Sequence, residues 1–103
     1  MLEKALILAA KAHTGQVDKG GAPYILHPIR VMLACEEEKE KIVALLHDTL
    51  EDTALTAADL RRAGFPEEIV QAVCCLTRGQ KEDYMDYIAR ICENALAARV
   101  KYA

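Results

Sequence analysis

The chain has 103 residues, 52% hydrophobic and 28% charged, with a formal net charge of −3; that length suits one small domain with one core. An acidic chain without any run of Lys and Arg lacks the electrostatic footprint that binding to DNA or RNA requires. No apolar run approaches the roughly 18 residues of a membrane span.

Seventeen Ala and twelve Leu against one Phe and no Trp favour helices over strands, so an all-α domain is expected. Leu2, Leu6, Ala9 and Ala10 mark a helical stripe to about His13, with Gly15 as its stop. Glu3 and Lys4 interrupt this stretch in an amphipathic pattern unlike a signal peptide, which implies a cytosolic protein. From Gly15 to Pro28 three Gly and two Pro mark a loop with tight turns. Pro28 suits the first turn of a helix carrying Ile29, Met32 and Leu33, leaving His27 just outside its N-terminus. A charged connection, Glu36 to Glu40, leads into a helix from Lys41 to about Asp52. Its apolar run Ile42 to Leu46 goes all the way round, as in a helix at the centre of a bundle. Thr56 and Asp59 form a capping-box pair, and Gly64 fits the left-handed position after a short helix. Pro66 opens the next helix, with Ile69, Ala72, Val73 and Leu76 in register and an end near Arg78-Gly79. Tyr84, Tyr87, Ile88, Ile91 and Cys92 form a further stripe, and Asn94 is a plausible N-cap for a last helix from Ala95. Cys35, Cys74, Cys75 and Cys92 show neither a CxxC pair nor zinc-ribbon spacing, which favours reduced thiols acting as small apolar residues.

The chemistry concentrates in His47 to Thr53, HDTLEDT, which follows the apolar run directly. On a continuous helix His47/Glu51 and Asp48/Asp52 are i, i+4 pairs that share one side of the helix end. Buried ionised groups need a metal ion, a counter-charge or water. One reading is a solvated helix end. The other is a metal site, since a His beside carboxylates supplies N and O donors suited to Mn²⁺, Fe²⁺ or Zn²⁺. Such a site needs more ligands, and His27, 20 residues earlier in the Gly/Pro-rich loop, is the obvious donor.

With AAKAHTGQ (Ala9 to Gln16), GGAPYILHP (Gly20 to Pro28), ALLHDTLEDT (Ala44 to Thr53), Leu76-Thr77 and DYIARI…NALAARVKYA (Asp86 to Ala103), the chain resembles the HD-domain superfamily of metal-dependent phosphohydrolases. The branch it resembles is that of the small alarmone hydrolases and the hydrolase domains of RelA/SpoT proteins. The resemblance implies an HD-domain bundle of about six helices that binds one divalent metal, commonly Mn²⁺, through His27, His47 and Asp48. It also implies that Glu51 and Asp52 activate or orient the attacking water, and that Lys19 with the adjoining Gly20 helps to hold substrate phosphates. The family's fourth ligand is an Asp directly after a sequence like VKYA. The sequence ends at Ala103, so residues 1–103 are expected to be a single hydrolase-like domain lacking its C-terminal helices. Asp18 stands where alarmone hydrolases place an Arg that stacks on guanine, and an acid lacks that planar cationic face.

The other candidates read as structural: His13 as a packed or capping histidine, Tyr84 and Tyr87 as core, and Arg78, Lys81, Arg99 and Lys101 as surface charge. The function expected first is hydrolysis of a nucleotide (pyro)phosphate, with guanosine 3′,5′-bispyrophosphate as the resemblance's substrate and removal of its 3′-pyrophosphate as the reaction. The alternatives are a non-catalytic HD-fold ligand-binding or regulatory domain, and an inactive fragment that pairs with a second copy of the chain.

Overall fold

The computed structural model describes residues 1–79 and 81–103, and among them every regular element is helical apart from an isolated antiparallel bridge between Val17 and Pro23. Helix α1 spans Leu2–Ala12, α2 Leu26–Leu33, α3 Glu38–Leu46, α4 Thr49–Asp52, α5 Ala57–Arg62, α6 Glu67–Leu76, α7 Tyr84–Cys92 and α8 Ala95–Lys101. These eight segments exceed the expected six or so because α4 is a single turn and α5 has six residues.

Helix α3 is the axis of the bundle and packs against α1, α2, α6 and α8. Ile42, Val43, Ala44, Leu45 and Leu46 are all buried, so the all-round apolar run has the environment its pattern requires. Around it the core takes Leu60 from α5, Ile69, Val70 and Val73 from α6, Ile91 from α7 and Val100 from α8. The helix starts at Glu38, three residues earlier than the sequence suggested, with Glu38 and Glu40 in a first turn whose free N–H groups favour acids. Glu40 is therefore part of α3 and buried, and it accepts from Arg99 Nε of α8 at 2.8 Å.

The expected helix from Lys41 to Asp52 breaks after Leu46. His47 Nδ1 lies 2.5 Å from the Ala44 carbonyl and Thr49 Oγ1 donates to the Leu46 carbonyl at 2.7 Å. Side-chain donors thus take carbonyls of the final turn, in competition with the backbone ladder. His47 and Asp48 occupy the joint between α3 and α4.

Helix α2 begins at Leu26, so His27 sits in its first turn rather than before it. Pro28 fits there because N–H groups at that level have no intrahelical acceptor. The capping box of Thr56 and Asp59, the Asn94 cap and the left-handed Gly64 (φ 96°) all occur where the sequence placed them. Helix α6 stops at Leu76, earlier than Arg78-Gly79, and its end is held by Arg90, whose guanidinium donates to the carbonyls of Cys74, Cys75 and Thr77. Tyr84, expected in the core, is half exposed beneath the Arg78 guanidinium, 5.5 Å from its ring centre. The cysteines are all unpaired; Cys35 is buried as expected of a small apolar residue, whereas Cys92 is exposed. Among the described residues no helix is long and apolar enough to cross a membrane.

Candidate functional site

The loop between α1 and α2 folds back on itself. Asp18 N–H donates to the Ala22 carbonyl at 2.8 Å, and the Asp18 carboxylate accepts from Gly20 N–H at 2.8 Å and Ala22 N–H at 3.0 Å. Gly21 turns the chain with φ 86°, a conformation a side chain would strain. This closed turn sets Tyr24 just before α2 and His27 in its first turn, both facing Asp48 at the joint between α3 and α4.

His27, His47 and Asp48 offer ligand atoms that all lie within 4.8 Å of one another, the sole such group of three or more among the described residues. Asp48 Oδ2 is 3.2 Å from His47 Nε2 and 3.7 Å from His27 Nε2. Because a carbonyl oxygen only accepts, the His47 Nδ1–Ala44 contact puts a proton on Nδ1, and Nε2 is the nitrogen turned toward the carboxylate. This tautomer is the one a metal-ligating histidine holds when its other nitrogen is anchored to a backbone carbonyl. Two imidazole nitrogens and a carboxylate oxygen fit a divalent cation of the Mn²⁺, Fe²⁺ or Zn²⁺ type, with further positions open to water or substrate.

The trio lies in a cavity of about 500 Å³. Glu51 and Asp52 of α4 are exposed on its wall, Val31, Leu76 and Val100 supply an apolar side, and Tyr87 and Lys101 complete the far wall. The break in the helix changes how the four polar residues relate. They do not form stacked pairs on one straight helix. The turn at His47-Asp48 instead sends those two side chains to His27, while Glu51 reaches the end of α6 and accepts from Arg78 N–H at 2.7 Å. Lys19 and Gly20 stand in the exposed α1–α2 turn and are not part of the cavity lining.

Two participants, Tyr24 and Gln16, were not singled out in the sequence, and a third, Lys101, was read differently. Tyr24 donates its hydroxyl to Asp48 Oδ2 at 2.6 Å. Burial, the accepting Asp48 carboxylate and the nearby charges of Asp52 and Glu51 push its phenol far above the ordinary range, so it remains a proton donor. Its signal in the sequence was slight, a tyrosine three residues before a histidine at a helix start. Gln16, three residues after His13, donates to the Asp52 carbonyl at 3.0 Å. Lys101, read as surface charge, is exposed but lies over the Tyr87 ring with Nζ 5.8 Å from its centre, on the cavity wall. Tyr87 is in the core as expected, and its hydroxyl donates to the Leu76 carbonyl at 2.7 Å.

No family model matches the chain. It is 39% identical over 79 residues to a guanosine-3′,5′-bis(diphosphate) 3′-pyrophosphohydrolase of Borreliella burgdorferi, an alignment covering 73% of this chain and 12% of that protein. It is 34% identical over 89 residues to the bifunctional (p)ppGpp synthase/hydrolase SpoT of Escherichia coli K12, covering 82% and 12%. A GTP pyrophosphokinase of Myxococcus xanthus is 36% identical over 85 residues, covering 79% and 11%. A solved structure described as a metazoan ortholog of SpoT that hydrolyzes ppGpp shares the fold with a TM-score of 0.80 at 24% identity, over 97% of this chain and 63% of that one. Its sequence relatives are SpoT/RelA enzymes, and its fold is that of a SpoT-like hydrolase. It spans 11% to 12% of the length of these three curated relatives. The His47-Asp48 dipeptide stands at the joint where α3 gives way to α4.

Proposed function

We propose that the chain is a metal-dependent phosphohydrolase acting on a nucleotide pyrophosphate, with guanosine 3′,5′-bis(diphosphate) as the leading substrate and its 3′-pyrophosphate as the group removed. The convergence of His27, His47 and Asp48 in one cavity carries this reading. The two relatives named for alarmone hydrolysis support the substrate class. His27 Nε2, His47 Nε2 and an Asp48 oxygen would hold one divalent ion, Mn²⁺ first and Fe²⁺ or Zn²⁺ as alternatives. Bound there, the ion would polarise a phosphoryl oxygen and acidify a bound water.

The chain's own residues have separate tasks. Exposed carboxylates on the cavity wall suit Glu51 and Asp52 to orienting a water and accepting its proton. Glu51 is the better fixed of the two, because one oxygen is held by Arg78 N–H. Lys101 is the cation among the lining residues and suits an anionic leaving group. Lys19, with Gly20, would reach phosphate only at the outer end of a long substrate, since neither lines the cavity. A cytosolic setting goes with a nucleotide substrate.

One observation favours a base range wider than guanine. The Asp18 carboxylate is engaged by the N–H groups of its own turn, so that turn closes around an acid where a stacking cation would be needed. Incubation with Mn²⁺, measurement of bound metal, and assay of pyrophosphate release from guanosine, adenosine and inosine 3′,5′-bis(diphosphates) test both points. A folded chain that takes up no metal and releases no pyrophosphate from any of the three would defeat the proposal. Turnover restricted to the guanosine compound would defeat the wider base range.

A further inference from the structure

The AAKAHTGQ segment, which ends α1, contributes no residue to the cavity lining, yet it reaches the site through two contacts. Gln16 Nε2 donates to the Asp52 carbonyl at 3.0 Å and Gln16 Oε1 lies 2.9 Å from His13 Nδ1. The Asp52 carbonyl can only accept, so the amide's NH₂ end must face it and its oxygen must face His13. His13 Nδ1 is therefore the donor. His13 itself is 2% exposed, and its Nε2 has no hydrogen-bond partner among the described residues. Leaving a buried nitrogen unpaired is costly, typically about 1–3 kcal/mol, and a position needed only for packing would be better filled by an apolar ring. The His13 ring also lies against Tyr24, with centroids 4.9 Å apart, and Tyr24 donates to Asp48 Oδ2, the oxygen nearest both histidine Nε2 atoms.

We propose that His13, Gln16 and Tyr24 form a positioning brace. His13 directs Gln16 onto the end of α4 and backs the Tyr24 ring, while Tyr24 aims the Asp48 oxygen at the space between His27 and His47. His13 and Gln16 lie off the cavity lining and Tyr24 on it; each acts on the site through Asp48 or Asp52. The brace rests on the functional reading above, because it matters to function only if Asp48 is a ligand and Asp52 a water-orienting group.

Isothermal titration of the full chain with Mn²⁺ tests the Tyr24 arm. Tyr24→Phe keeps the ring against His13 and removes only the hydroxyl, and it should weaken Mn²⁺ binding about 10-fold or more, the usual effect of losing a hydrogen bond to a ligand. The melting temperature of the metal-free protein should stay within about 2 °C, since the packing is kept. Affinity within twofold of wild type would overturn the brace, because packing alone is retained by Phe. Gln16→Met tests the other arm and does not depend on Tyr24→Phe folding. Its Mn²⁺ affinity should stay within twofold while kcat for pyrophosphate release falls about 10-fold at little-changed KM, and an unchanged kcat would overturn that arm. Long-range ¹H–¹⁵N NMR should find the His13 proton on Nδ1 in the wild type, and a bare Nδ1 would contradict the derivation. Wild-type protein that binds no Mn²⁺ would defeat the functional reading and the brace together, whereas equal binding by wild type and Tyr24→Phe defeats the brace alone.

Discussion

At the scale of single residues, a side chain's partners decide whether its charge is an asset, and the exposed Glu67 and the cavity acids illustrate opposite cases. Arg61 Nε and Nη2 donate to the two Glu67 oxygens at 3.0 and 2.9 Å, and Gln71 adds a third donor at 2.8 Å. The Arg61 fork first and then Gln71 hold the Glu67 carboxyl at about 2, well below the ordinary glutamate range near 4.3. A depressed folded value means that the pair's contribution is present above about pH 4.3 and is lost as pH falls through about 2. The pair is exposed, so its contribution to stability is small. Titration of the Glu67 side-chain carbon by NMR should find that midpoint near 2, and in Arg61→Ala it should rise toward 4. The cavity acids Asp48, Glu51 and Asp52 have no such arginine partner among the residues lining the cavity. Their identities were legible in HDTLEDT, because a run of carboxylates after an apolar helix needs an explanation. Tyr24 was not legible, because nothing in its own neighbourhood of sequence announces an acceptor 24 positions away.

At the scale of elements, the joints hold more of the design than the helices. Periodicity located the helix axes: Ile69 to Leu76 and Ile42 to Leu46 are buried much as their patterns require. It could not locate the break at His47-Asp48, because that break depends on His47 and Thr49 side chains taking carbonyls that a continuous helix would use. The approach of His27, His47 and Asp48 depends on the same break, so the fold was more readable than the shape of its site. Arg90 is a second joint. It donates to three carbonyls at the end of α6 and to both Glu82 oxygens, and so fastens α7 to α6. Arg90→Ala leaves those carbonyls without their donor and should destabilise the protein by about 2 kcal/mol, a drop in melting temperature on the order of 10 °C in differential scanning calorimetry. Arg90→Lys should recover less than half of this, because an ammonium cannot span the same fork of acceptors. By contrast Leu45→Ala, in the wholly buried middle of α3, should cost about 3 kcal/mol, and Leu33→Ala, 69% exposed at the end of α2, under about 0.5 kcal/mol, both read from urea midpoints.

At the scale of the whole molecule, the trio of His27, His47 and Asp48 joins parts of the chain that are otherwise held by packing. His27 belongs to α2, and His47 and Asp48 to the joint between α3 and α4, in a cavity closed on its far side by Tyr87 of α7 and by Lys101 and Val100 of α8. An ion bound there would couple these elements, and since the trio comes together only on folding, its binding energy would add to the stability of the folded state. With free Mn²⁺ at 100 times its dissociation constant, the gain is about 2.7 kcal/mol. For a domain of this size that amounts to a rise in melting temperature of about 10 °C or more. Calorimetry in Mn²⁺ against a chelator should therefore find this rise in the wild type and lose it in Asp48→Ala. The metal-free melting temperature of that variant also carries information, because Asp48 faces Tyr24 and two histidine nitrogens whether or not metal is present. If the trio served structure alone, Asp48→Ala would melt lower than wild type in chelator, and Mn²⁺ would shift neither protein. A ligand role predicts that the two proteins differ chiefly when Mn²⁺ is added, so the difference between their Mn²⁺-induced shifts, not either melting temperature by itself, is the quantity that decides.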